Sequence, residues 1–387
     1  MTIRTVGCAL AGALMLTGAA RAQVILSGND EKFVWNDAGA PVVQAGGRDS
    51  LTILSIAKPG QPKIIANLPV ENSILGPPTN LAVVPGNQIA LVANSMHGFK
   101  DGETWKQAPD NKLFVIDLTT APPSQIAAVE TGKQPSGIAI SRKGDLALVT
   151  NRADSSLSVL AIAGKTVTAV GTVPVGETTP GVAITPDGKR ALVLKPTTNR
   201  VAVFDIDGQK VTPAGIDIGV GVWPYNVMVT PNGKLALVVC QGQAGASDGS
   251  VDSVAVIDLE AKPPRTVDFV VVGDTPEGLA ISPRGDVAVA VLVRGTNSDK
   301  KAWFYNRNSA IDVLKIDRKK VTRVAEIEVG PLAEGAGFSP DGSYLYVSNF
   351  LDSTLQVFSV AGTQITNTGT KITLPGHPAS MAVSTTK

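Results

Sequence analysis

Histidine and cysteine are nearly absent. The 387 residues hold two of each: His97, His377, Cys8 and Cys240. Once the leader that carries Cys8 is cut, two histidines and one cysteine cannot make a closed tetrahedral His/Cys site, and no His pair sits at ligand spacing; His97 and His377 with rim carboxylates are the one mixed ligand set left open. The C-x-x-C-H haem attachment, the H-E-x-x-H zinc helix and the G-x-S-x-G nucleophile elbow are missing as well. No metal and no cofactor is expected. Asp248-Gly249-Ser250-Val251-Asp252 lacks the spacing and terminal Glu of an EF-hand and reads as a polar surface loop. Aromatic residues make up 4% against 43% hydrophobic residues, so the core has to be Val, Ile, Leu and Ala, the side chains of packed strands. Neither charge sign dominates, with 34 Lys and Arg against 33 Asp and Glu and no block of either. A nucleic-acid or membrane-surface partner would need such a block, so neither is expected.

The apolar stretch near the start, Val6 to Gly18, is too short to cross a bilayer, and no membrane insertion is expected. It follows Arg4 and precedes Ala20-Arg21-Ala22, an A-x-A cleavage pattern. Residues 1–22 therefore read as a leader cut after Ala22, and residues 23–387 as one exported domain, periplasmic or secreted. No twin-Arg pair is present, which favours the general secretory route. Loss of Arg4, Arg21 and Cys8 leaves 32 basic and 33 acidic residues and a single thiol. That thiol, Cys240, ends the apolar run LALVVC and reads as an inert core side chain. The fold must then hold without an internal disulfide.

What the chain has in abundance is repetition. One short apolar strand recurs seven times: NLAVVP (80–85), GIAIS (137–141), GVAIT (181–185), NVMVT (226–230), GLAIS (278–282), GAGFS (335–339) and SMAVS (380–384). Tight Pro/Gly turns follow several of them, as in Thr185-Pro186-Asp187-Gly188, with the chemistry of a type I turn. An alternating strand comes later in each unit, for example SLSVLAI (156–162) and SVAVIDL (253–259). A strand-only repeat of about 45–55 residues predicts an all-β, seven-bladed β-propeller with four antiparallel strands, A to D, per blade. The seventh blade is split. Its strand A is expected at Ser380–Ser384, strand B at Lys32–Asn36, strand C at Leu51–Ile56 and strand D near Lys63–Val70. Pairing of the C-terminal strand A with N-terminal strands B–D would close the ring and remove two open edges.

Strand B ends in Leu91-Val92-Ala93-Asn94, Leu148-Val149-Thr150-Asn151 and Tyr346-Val347-Ser348-Asn349. On these residues the chain resembles the YVTN-type propeller repeat and the wider lactonase-like and amine-dehydrogenase-like propellers. Lys195, Cys240 and Leu292 stand in place of Asn in blades three, four and five. The resemblance implies the seven-bladed fold over the whole mature chain.

The long insertions fall between strands B and C, at 94–111, 240–252, 293–309 and 36–49, all on one face of the disc. The rare residues gather there too. Trp35, Trp105, Trp223, Tyr225, Trp303 and Tyr305, with Asn94, Asn151, Lys195 and Asn349, are the candidate ligand-binding residues, since Trp and Tyr give much contact area at low entropic cost. His97, His377, Glu277 and Glu334 are the candidate acids and bases. Glu71 is a further acidic rim residue, and Arg152 and Arg294 are further positive ones. The first functional reading is a non-catalytic module binding a small polar ligand, a protein or a peptide on this face. The resemblance implies a second, a hydrolase opening a sugar or aromatic lactone. It also implies a third, the heavy subunit of an amine dehydrogenase. Convergence of the two histidines with Glu277 and Glu334 within about 3–6 Å would favour hydrolysis.

Overall fold

The computed structural model describes residues 23–243 and 246–385. The leader and the cut after Ala22 lie outside the described residues. Seven four-stranded antiparallel sheets follow one another around a ring. Blade two shows the pattern. Strand A is Pro135–Ile140, strand B Leu146–Asn151, strand C Ser156–Ala163 and strand D Thr166–Pro174. Strands B and C are buried along nearly their whole length, so each sheet has two apolar faces, one packed against each neighbouring blade. One such layer joins Val149 and Leu160 of blade two to Leu91 and Val115 of blade one.

The ring is closed by its own ends. Strand A of blade seven is Pro378–Val383, and it pairs with Val24–Asn29, which in turn pairs with Ser50–Ser55. Strand B is therefore not Lys32–Asn36 as the sequence suggests. The true strand ends in Asn29, whose amide donates to Ser50 Oγ (3.0 Å) and Thr52 Oγ1 (2.8 Å). Asn151 makes the same pair of bonds to Ser156 and Ser158 (3.0 Å each). Phe33–Trp35 instead pairs with Pro41–Val43 in an extra hairpin within the blade-seven insertion.

The blade-one insertion is not a loop either. Strands Ile89–Asp101 and Thr104–Asp117 run on past the blade as a long hairpin. The insertions also lean on each other. Ala38 of the blade-seven insertion forms a β-bridge with Asp299 of blade five, and Lys300 Nζ meets Asp37 Oδ1 at 2.7 Å, so a strap passes over blade six.

Around the axis, adjacent A strands approach at backbone distance. Gly137 N donates to Pro180 O (3.0 Å), and Ile138 N to Thr79 O (3.0 Å). A Cβ on Gly278 would lie 2.3 Å from Glu334 O, so only glycine fits there. Asn226 Nδ2 reaches Glu277 O at 3.2 Å. Each residue that precedes this tight ring sits at the long-loop mouth of the channel. In blade order these are Thr79, Ser136, Pro180, Tyr225, Glu277, Glu334 and Ala379.

Removing residues 378–387 strips strand A from blade seven and opens Val24–Asn29, including the buried Ile25 and Leu26. The truncated chain is expected to lose cooperative thermal unfolding and to aggregate, as circular dichroism and light scattering would report; a native-like melt would refute closure by the terminal strand.

Candidate functional site

Two carboxyl groups meet at the channel mouth. Glu277 comes from the start of strand A in blade five and Glu334 from the same position in blade six. Glu334 is 2% exposed, and Glu277 is half-buried on the channel side. Burial pushes Glu277 up to about 7, while a hydrogen bond from Glu334, another from Gln241 and the charge of Arg152 pull it part of the way back. Burial and the Glu277 carboxylate hold Glu334 well above the usual carboxylate range. Two buried like charges in contact cannot both ionise, so the pair holds a proton that resides on Glu334. Glu334 Oε2 is buried and meets no hydrogen-bond partner among the described residues, and an oxygen so placed is less costly to bury protonated than charged.

Three other side chains complete the mouth. Gln241 follows strand B of blade four and donates from Nε2 to Glu277 Oε1 at 2.9 Å, which orients that carboxylate. Arg152 follows strand B of blade two and rests its Nη1 on Leu75 O at 3.2 Å. Its charge reaches both Glu277 and Tyr225. Tyr225 is buried, and burial with the two glutamates raises its hydroxyl pKa, so it stays protonated as a donor. Thr79 Oγ1 and Ser136 Oγ, at the same ring position in blades one and two, are buried without a hydrogen-bond partner among the described residues. The arrangement therefore offers a base, a neutral acid, a cation and the Tyr225 hydroxyl around one opening, with the Thr79 and Ser136 hydroxyls buried beneath it.

The segment 71–79 crosses this opening. Ile74 and Leu75 pack with Val293, Leu332 and Phe350 of blades five and six and with Phe33 of the extra hairpin. Gly76, at φ 150°, passes so close to Ser136 that a Cβ would lie 2.5 Å from its Oγ. A buried ion cluster fastens the segment. Lys32 Nζ contacts Asn72 O and Asp49 Oδ2 (2.5 Å), and Asp30 Oδ2 accepts from Ile74 N (2.9 Å). Burial raises Asp30 to about 6 against the opposing pull of Lys32.

Neither histidine joins the glutamates. His97 lies on the blade-one hairpin, where its charge acts on Glu71. His377 stacks on Phe350 at 5.0 Å, with Nδ1 against Phe350 O (2.8 Å) and Ser353 Oγ (3.2 Å). The indoles are likewise dispersed. Trp35 packs edge-on against Phe33 and Phe350 in the apolar cluster under the strap. Trp105 is paired with Lys100 on the hairpin. Trp223 takes a positive φ of 55° and donates its N–H to Asn199 Oδ1. Trp303 is 82% exposed against Phe304, and Tyr305 N closes a turn onto Ala302 O. The polar candidates hold blades together. Asn151 and Asn349 clamp their own B–C loops, and Lys195 pairs with Asp217 at 2.7 Å. Asn94 bonds Asp110 (2.6 Å) and Glu71 (3.3 Å). Arg294 pairs with Glu326 at 3.6 Å, away from the mouth. Cys240 is buried, and burial pushes its thiol up to about 12, so it is no nucleophile. Among the described residues no group of three His, Cys, Asp or Glu could hold a metal ion. Two grooves of about 330 and 320 Å³ lie elsewhere, lined by Arg190, Leu259 and Pro264 of blades three and four.

Of the candidates named from sequence, the structure brings Glu277, Glu334, Tyr225 and Arg152 together at the mouth. Sequence reasoning missed Gln241, which directly follows the strand end where Cys240 replaces Asn.

Residues 109–217 match the family model described as a lactonase, seven-bladed β-propeller. No curated protein matches the chain. Solved structures do. The periplasmic gluconolactonase PpgL of Pseudomonas aeruginosa is 17% identical with a TM-score of 0.67, over 94% of this chain and 99% of that one. A Bacteroides uniformis protein, named provisionally as a 6-phosphogluconolactonase, is 15% identical with a TM-score of 0.66, over 94% and 99%. Hydrazine synthase of Kuenenia stuttgartiensis is 17% identical with a TM-score of 0.61, over 80% and 90%. The fold is that of the lactonase-like seven-bladed propellers. At these identities it is the fold that is shared, and a fold alone does not set an activity.

Glu334 is protonated in the folded chain at pH values where the unfolded chain has lost that proton. Its contribution to stability is complete below about pH 4.5 and is lost as pH rises through its raised folded pKa. Glu334→Gln keeps the hydrogen bond and cannot ionise. Its Tm is expected to match the wild type at pH 5 and exceed it by at least about 2 °C at pH 9. Parallel Tm curves from pH 5 to pH 9 would show that Glu334 carries no raised pKa.

Proposed function

We propose that the chain is an exported lactonase-like hydrolase that opens a small lactone at the channel mouth, with Glu277 as general base. The observation that carries this reading is the Glu277–Glu334 pair, one carboxylate with a pKa of about 7 beside one neutral acid. A base poised near the working pH removes a proton most effectively. The fold it shares with PpgL, a periplasmic gluconolactonase, supports both the chemistry and the location.

In this mechanism Glu277 takes a proton from water as the water oxygen adds to the lactone carbonyl carbon. The carbonyl oxygen becomes an oxyanion, and the Arg152 guanidinium and Tyr225 hydroxyl are the groups at the mouth that can stabilise it. The ring C–O bond then breaks, and the proton on Glu277 passes to the leaving ring oxygen. The product is the hydroxy acid, and Glu277 returns to its ionised state. Glu334 stays protonated and lends Glu277 a hydrogen bond. Gln241 fixes one Glu277 oxygen, which leaves the other to face water. The Arg152 cation and the Tyr225 hydroxyl suit a polar, oxygen-rich substrate better than a bare aromatic ring.

A panel of sugar and aromatic lactones, followed by acid release, tests this. kcat/KM is expected to rise with pH, half-maximal near 7, and Glu277→Gln is expected to lose at least about 100-fold with an unchanged Tm. Arg152→Ala is expected to lower kcat/KM by about 10-fold or more. Tight binding of a lactone without turnover by the wild type would instead establish the binding-module reading.

A further inference from the structure

Every blade ends in an outer strand D whose far edge no other strand among the described residues covers. Most of these strands carry a bulge at one residue: Ile65 in blade seven, Ile126 in blade one, Val170 in blade two, Val267 in blade four and Val324 in blade five. These bulge residues are apolar and exposed. Bulges and charges are the usual devices that keep an edge from pairing with another chain. The decisive positions lie two and four residues beyond the bulge. In blades seven, one, two and five they hold Asn67 and Pro69, Ala128 and Glu130, Thr172 and Pro174, and Glu326 and Glu328. The comparable ends of blades three and six carry Asp217 and Gly219, and Lys371 and Thr373. Blade four alone places large apolar residues at both, Phe269 at 50% exposure and Val271 at 57%.

The same edge continues onto the long-loop face. Val251, 70% exposed, directly precedes Asp252, which pairs with Val272. Trp303 packs against the neighbouring Gly249, where a Cβ would lie 2.6 Å from its ring. An apolar strip therefore climbs blade four from Val267 to Trp303.

We propose that this strip is an interface between two copies of the chain, paired antiparallel through the outer strands of blade four. The register is self-complementary. A two-fold axis at Val270 sets Phe269 of each copy against Val271 of the other, so a large side chain meets a small one twice. It also brings Val267 of the second copy beside the end that carries Val251. The segment 268–272 lies wholly beyond the bulge, so its edge is straight enough to pair. Its one charge, Asp268, falls opposite Val272 rather than opposite another carboxylate. A C2 contact that repeats one patch on both copies is the commonest way soluble chains assemble. The contact is short, so dissociation on the order of micromolar is expected.

Sedimentation velocity from about 1 to 200 µM tests the proposal, a range chosen to span weak association. The wild type is expected to shift from monomer to dimer. Phe269→Lys is expected to weaken the dimer at least about 10-fold while leaving Tm and lactone turnover unchanged. In a Cys8→Ser background, Phe269→Cys with Val271→Cys is expected to cross-link as a dimer on mild oxidation, and an exposed Val324→Cys control is not. A monomer across the range, or a dimer indifferent to Phe269→Lys, overturns the proposal; the monomer would leave the strip to a different protein. Neither result bears on the channel-mouth glutamates.

Discussion

The approach of neighbouring strands around the axis governs the rest of the molecule. Where Gly137 bonds Pro180 and Gly278 lies under Glu334, the blades touch backbone to backbone, with no side chain between. That contact needs glycine or a residue whose side chain can turn away, as Asn226 does by bonding Glu277 O. It closes the channel to a narrow waist. It also fixes where the preceding residue goes. In each blade that residue stands at the mouth, so seven side chains widely separated in sequence form one ring. A functional group placed there is held by two blades at once, which gives it the rigid support that catalytic geometry needs.

Burying two carboxyls at such a point carries a stability cost, and the fold meets it without a cation in contact. No Lys or Arg forms an ion pair with Glu277 or Glu334 within the described residues, although Arg152 acts from a distance. The blade-seven cluster shows the other solution. There Lys32 sits between Asp30 and Asp49, fully buried, and pins the segment that crosses the mouth. One carboxyl pair is paired with a cation and reads as structure. The other is left to share a proton with no structural ion pair to explain it, and it is this difference that makes Glu277 and Glu334 the candidate site.

The sequence made the architecture plain because the short apolar strand recurs seven times and Pro/Gly turns follow several of its copies. It failed at the split blade. VILSGN, residues 24–29, has the apolar run and the terminal Asn of strand B in blades one, two and six, but it abuts the expected cleavage site, and the aromatic stretch at 33–35 offers a competing strand. The Asn29 bonds to Ser50 and Thr52 repeat those of Asn151, so the signal lay in the strand-end Asn and its Ser/Thr partners. Glu277 and Glu334 could be found because each directly precedes the glycine of a strand A. Their convergence follows from the ring. The positions of His97 and the indoles could not be found that way. They depend on insertions that fold as a hairpin, a second small sheet and a strap, and no repeat encodes those.

A repeat protein supplies its own comparison set. At one position, seven blades offer Thr, Ser, Pro, Tyr, Glu, Glu and Ala. The blade fold evidently accepts any of them, so packing does not demand two acidic residues side by side. The same logic applies to the outer edge, where six strands place a charge, Pro or Gly at one of these two positions and one presents Phe and Val. Positions that match across blades report what the fold requires. Positions where a single blade, or two adjacent ones, depart toward a costlier residue report something the fold does not require. In this chain the buried glutamates and the exposed phenylalanine are both departures of that kind. One spends stability inside the ring and the other risks association outside it, and these two departures are what the proposed hydrolysis and the proposed pairing each rest on.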